Sequence, residues 1–254
     1  MRQTLTLGRL CDIRVRVHIS WIAVYAFVTY VLASGLTMLP RPQAYLVGAA
    51  CALALFASVV VHELAHALVA RRFGVRTDAI TLFLFGGVAL FDEEPATPRG
   101  DALIALAGPA LSGLLALVAT AGLIVLDRLA AGPRAELPAL LIAYLAVANA
   151  VLAIFNLIPA YPMDGGRVLR ALLWRRSGDL RRATQLAAQV GIGFAGAYIV
   201  AGVVVVATTH EPAYAWYAVL GAFLVRQGWV QERAARAPGP AAIERRDVEV
   251  GAAA

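Results

Sequence analysis

The chain has 254 residues, is 61% hydrophobic and only 15% charged, and has a mean hydropathy of +0.74. A soluble domain carries about 25% charged residues, so this composition excludes a large water-soluble core and points to a polytopic membrane protein. The formal charge of +6 is carried by arginine alone, in short clusters between apolar segments, which is a topology signal rather than a nucleic-acid footprint; no nucleic-acid partner is expected.

Apolar segments long enough to span run over Ile19–Leu39, Ala44–Ala70, Ala102–Leu126, Pro138–Ile158 and Ala183–Thr209. A sixth, Ala213–Val225, spans only if Arg226 snorkels and the helix continues toward Val230. The first is longer than a signal-peptide core and has no small-residue cleavage site, so it reads as a retained span. The expected fold class is therefore an all-α polytopic membrane protein of about six transmembrane helices. Residues 1–18 form a cytoplasmic N-terminal segment, 19–230 the membrane core and 231–254 a disordered cytoplasmic tail. Cys11 and Cys51 suggest no disulfide framework or CxxC zinc site.

Arginines set the orientation. Four lie before span 1, four in the loop after span 2 and six in the loop after span 4; the opposite side holds only Arg41, Arg128 and Arg134. The positive-inside rule makes the rich side, and the N-terminus, cytoplasmic in a bacterial-type plasma membrane. Trp21, Trp174, Trp216 and Trp229 fall near the expected interfaces, as an aromatic belt would. Between spans 2 and 3, Ile80–Phe91 is too short to span. Gly86-Gly87 can turn it into a β-hairpin. It serves either as a structural or re-entrant loop or as an edge strand that captures an extended substrate.

The chemistry centres on Val61-His62-Glu63-Leu64-Ala65-His66 near the cytoplasmic end of span 2. Residues four apart share a helix face, so His62 and His66 can bind one Zn²⁺ with Glu63 beside them as base. Two of the chain's four histidines are here, in a setting where ionisable groups are costly and functional by default. With a rise of ~1.5 Å per residue, His66 lies roughly 7 Å and His62 roughly 13 Å below Arg71. A catalytic zinc wants a third protein ligand. Of the remaining acids, Asp164 stands apart: it follows span 4 on the same side in Asn156-Leu157-Ile158-Pro159-Ala160-Tyr161-Pro162-Met163-Asp164-Gly165-Gly166-Arg167. The two prolines break the helix there, and irregular backbone at membrane depth needs protein or a water-filled cavity around it. Asn149 reads as interhelical glue, His18 as an anchor or cap of span 1, and the small residues of Gly191–Gly196 as helix packing.

His62–His66 followed by the Asn156–Arg167 segment resembles the site-2 protease family of intramembrane zinc metalloproteases. The resemblance runs from His18 to about Trp174, and Phe85–Ala89 and Ala107-Gly108-Pro109 also match family features. It implies that His62, His66 and Asp164 bind one zinc, that Glu63 activates water, and that Asn156 helps stabilise the oxyanion. It further implies regulated intramembrane proteolysis of single-span membrane proteins, such as anti-sigma factors or signal-peptide remnants. Two departures stand out. Ser112 occupies a place where many relatives carry asparagine, which puts a polar role there in doubt. No PDZ insertion or CBS pair is seen, so regulation through such domains is not expected. A prenyl-protein peptidase would need a later intramembrane glutamate, and none exists. The non-enzymatic alternative is an inactive metal-binding membrane scaffold or a metal transporter.

Overall fold

The computed structural model describes residues 4–83, 86–91, 94–129, 133–211 and 214–236; the expected tail, 231–254, lies beyond them from residue 237 on. The chain forms two compact units, Met1–Ile158 and Pro159–Ala254.

The first unit starts with strands where the sequence suggested a plain cytoplasmic segment. β1 (Thr4–Leu10) and β2 (Ile13–His18) pair antiparallel. The two residues between them, Cys11 and Asp12, have φ of 51° and 67°, the pair of positive values that lets a two-residue link follow the strand twist. β2 buries Ile13, Val15 and Val17 and leaves Arg14, Arg16 and His18 half-covered, the alternation of a one-sided strand. β2 then runs parallel to β3 (Thr77–Phe83), which pairs antiparallel with β4 (Gly86–Phe91), giving the order β1-β2-β3-β4. The all-α expectation is thus corrected to a mostly helical fold with a four-stranded sheet. The expected hairpin exists, but Gly86 and Gly87 lie within β4, opposite Phe83 and Leu82. The parallel ladder from Arg14↔Ala79 to Val17↔Leu82 holds β3 extended as far as Leu82.

Parallel strands require a long crossover, supplied here by α1 (Ser20–Gly35) and α2 (Arg41–Arg72). α3 (Pro98–Leu129) and α4 (Pro133–Asn156) complete the unit, and α2 packs on α1, α3 and α4. Ile13 and Ile80 of the sheet close on Ala67 of α2, with Leu64 alongside. Fully burying each isoleucine contributes about 1.5–3 kcal/mol, which pins the sheet to the turn that carries His66. At the start of α1, His18 Nδ1 accepts from the Ser20 amide at 3.2 Å, the capping role expected of it. Trp21 stacks on Tyr25 at 5.3 Å and meets Phe56 of α2 at 4.8 Å, so it packs in the seam between α1 and α2.

The second unit holds α5 (Asp164–Ser177), α6 (Leu180–Thr209) and α7 (Ala215–Arg236). Asp179 caps α6 by accepting from the Arg182 amide at 3.1 Å. Gly191 sits so close to Ala160 that a Cβ would lie 2.9 Å from its Cα, in keeping with the packing role read for that stretch. Tyr161 packs with Ala187 and Ala188 of α6 and with Leu169 and Leu173 of α5.

Among the described residues, four helices are long and apolar enough to cross a membrane: α2, α3, residues 136–156 of α4, and α6. The first and sixth expected spans fall outside this set. Span 1 becomes a 16-residue helix because α1 stops at Gly35, about 24 Å at 1.5 Å per residue. α7 has 22 residues but carries Arg226, Gln227, Gln231, Glu232, Arg233 and Arg236 beyond Val225.

Candidate metal centre

α2 places His62 and His66 one turn apart, and both are buried, at 2% and 3% exposure. Their Nε2 atoms converge to 3.1 Å. The other ring nitrogens are held by α3. His66 Nδ1 lies 2.6 Å from the Ile104 carbonyl oxygen, and His62 Nδ1 lies 2.9 Å from Ser112 Oγ. A carbonyl oxygen can only accept, so the His66 proton is on Nδ1 and its Nε2 carries the lone pair. Ser112 can accept from His62 in the same way. With both rings neutral in that tautomer, the two Nε2 lone pairs converge, which is the arrangement a shared cation takes.

The close approach of both rings to α3 depends on one glycine. Ile104, Gly108 and Ser112 are spaced four apart and so form a stripe along α3. A Cβ on Gly108 would lie 2.3 Å from His66 Nε2 and 2.5 Å from His62 Nε2. The missing side chain therefore lets both imidazole edges close on the α3 backbone. Two converging imidazole donors whose far nitrogens are hydrogen-bonded fit zinc. Pro109, next in the chain, lies inside α3 and removes one intrahelical donor, which loosens the helix beside Gly108.

His62, His66 and Asp164, all buried, are the group of side chains among the described residues that could hold a metal ion. Asp164 is the first residue of α5. Glu63, half-buried, follows His62 on α2. Asn156, the last residue of α4 and also half-buried, donates Nδ2 to the Leu152 carbonyl at 2.9 Å, a bond within its own helix. Asn149 behaves as the glue expected of it: its Nδ2 donates to Ser58 Oγ on α2 at 3.0 Å, and to Leu145 O at 2.9 Å. Ser58 is one turn before His62, so this bond fixes α4 against the motif helix. Ser112, doubted in the sequence, is fully buried and orients a metal ligand. Its signal was available in the 104/108/112 spacing around Gly108-Pro109.

The fold and this centre define a multi-pass membrane protein with an HExxH metal site. The model of Peptidase family M50 matches residues 50–132 and 129–198, and the chain belongs to that family. It is 42% identical over 246 residues to Rip3 of Mycobacterium tuberculosis, covering 93% of this chain and 58% of that protein. It is 35% identical over 191 residues to Zinc metalloprotease MJ0392 of Methanocaldococcus jannaschii, covering 75% of this chain and 51% of that one. The chain thus spans little more than half the length of these relatives. Its fold is similar to the solved site-2 protease from Methanocaldococcus jannaschii, with a TM-score of 0.60 and 28% identity over 93% of this chain and 97% of that one.

Proposed function

We propose that this chain is an intramembrane zinc metalloendopeptidase that cleaves single-span membrane proteins near the cytoplasmic side of the bilayer. The observation that carries the reading is the convergence of His62 and His66 Nε2 at 3.1 Å, with Glu63 on the same turn of a 32-residue apolar helix. Asp164 is the third ligand. Zinc held there supplies a Lewis acid for the scissile carbonyl and makes water a usable nucleophile near neutral pH. Glu63 takes the water proton and passes it to the leaving amine. Asn156 turns its Nδ2 from Leu152 O toward the developing oxyanion, an interaction worth roughly 3 kcal/mol in other proteases. Ser112 and the Ile104 carbonyl keep both imidazoles in one tautomer throughout.

Anti-sigma factors and signal-peptide remnants suit the substrate class, because both present a single helix that unwinds locally to be cut. The arginine-rich loops support a cytoplasmic N-terminus. The decisive test is Glu63→Gln in detergent-solubilised protein. Zinc should stay near one per chain while cleavage of a single-span substrate falls by about 10²–10⁴-fold, the range of a general base. Undiminished cleavage in that variant would overturn the mechanism. Asp164→Ala should lose or markedly weaken zinc binding; full zinc content would remove Asp164 from the ligand set.

A further inference from the structure

Where α2 ends and the sheet begins lies an open hollow of about 520 Å³ lined by Arg71, Gly74, Val75, Arg76, Thr77 and Asp78. Its shape follows from the local backbone. Gly74, at φ 78°, reverses the chain after α2, and the Val75 amide closes back on the Ala70 carbonyl at 3.1 Å. Arg71 and Arg76 are thereby brought to one cavity. Val75 is buried against Ala70 and Ile104, so the base of the hollow is firm.

The electrostatics are one-sided. Asp78 is the acid in the wall, and it is already engaged: Arg14 Nη2 lies 3.4 Å from its carboxylate and Arg14 Nε donates to its carbonyl at 3.5 Å. Arg71 is braced by a hydrogen bond to the Cys11 carbonyl at the β1–β2 turn. Among the described residues neither Arg71 nor Arg76 is ion-paired. Thr77 is 8% exposed, and its buried hydroxyl has no hydrogen-bond partner. Two guanidinium groups and an unsatisfied hydroxyl are the donor set a tetrahedral oxyanion takes, because the guanidinium fork matches phosphate geometry.

Position narrows the ligand. Arg71 and Arg72 are the last residues of a helix apolar enough to cross a membrane, so the hollow opens at the level where lipid phosphates lie. We propose that it is a phosphate-binding site that takes the headgroup of an anionic phospholipid, with Arg71 and Arg76 as the clamp and Thr77 as an additional donor. This reading needs the membrane setting but no proteolytic activity. Val75 joins the site to Ile104, whose carbonyl orients His66, so an occupied hollow braces the α3 turn behind a metal ligand.

The test uses the full chain in detergent, equilibrated with equal amounts of phosphatidylglycerol and phosphatidylcholine and read by native mass spectrometry; thermal melting with and without inorganic phosphate is run in parallel. Phosphatidylglycerol should be retained about tenfold over phosphatidylcholine, a difference of about 1.4 kcal/mol. Arg71→Gln/Arg76→Gln should abolish the preference with zinc content unchanged. Arg76→Lys, which keeps the charge but loses the fork, should weaken it partly and serves if the double variant does not fold. Arg72→Gln, adjacent in sequence but outside the hollow, should leave it intact. Stabilisation of wild type but not of the double variant by inorganic phosphate, without a lipid preference, would support the phosphate chemistry and assign it to a soluble ligand. The proposal is overturned if neither probe distinguishes wild type from the double variant, or if Arg72→Gln loses as much of the preference as the double variant does.

Discussion

Glycines bring helices together in both units, but they do different work. Along α6 and α7 the space left by a missing side chain is filled by neighbours: a Cβ on Gly221 would lie 2.5 Å from Ile199 Cγ1 and 3.0 Å from the Ala195 carbonyl. Along α2 and α3 the equivalent space at Gly108 is filled by two imidazole edges. One glycine serves packing, where dispersion is gained atom by atom. The other lets two histidines close on the helix backbone with their Nε2 atoms converging, where both can serve one metal. Nothing in either glycine's sequence neighbourhood states which is which; only the facing atoms do.

Gly108→Ala should break the comparison most severely. The added methyl falls on both Nε2 atoms, so the rings must swing away, and zinc binding should drop by well over about 100-fold, beyond the usual loss from an altered supporting contact. Elemental analysis of the purified protein reads this directly, and a variant with one zinc per chain would show that the ring positions beside Gly108 do not govern metal binding. Ser112→Ala comes next. It leaves the His62 Nδ1–H without its buried acceptor and should weaken zinc by about 10–100-fold, measured by competition with a chelator. Gly221→Ala should leave zinc content unchanged while costing about 1–3 kcal/mol from overpacking, seen as a lower melting temperature. If Gly221→Ala loses zinc as readily as Gly108→Ala, the distinction between the two glycines fails. The smallest effect is expected at the exposed end of α7. Arg236→Gln removes a 2.6 Å contact to Glu232, yet solvent-exposed ion pairs contribute little, and the melting temperature should not move measurably.

The parts of the molecule legible in the sequence were those set by local spacing. His62 and His66 declare a shared face because they are four apart, and apolar runs long enough to span declare α2, α3, α4 and α6. The β1–β2 hairpin was missed because its period-2 signal, Ile13-Arg14-Val15-Arg16-Val17, was read for its arginines as a topology mark. Its turn, Cys11-Asp12, also lacks the glycine that announces such links. Gly86 and Gly87 lie in β4 rather than in the turn because a non-local ladder to β2, more than sixty residues earlier in the chain, holds β3 extended and overrides their local preference. Ser112 was undervalued for the same reason. Its partner is 50 residues away, and a hydroxyl in an apolar helix does not say what it bonds.

The two imidazoles are also secured by unequal means. His66 leans on the Ile104 carbonyl, an atom that every amino acid at position 104 would supply, so no exchange of side chain deletes it. His62 leans on Ser112, which a single substitution removes. Genetic drift and deliberate engineering therefore meet the same asymmetry: the metal's grip can be tuned finely from position 112, while the other half of the pair is hard-wired into the main chain.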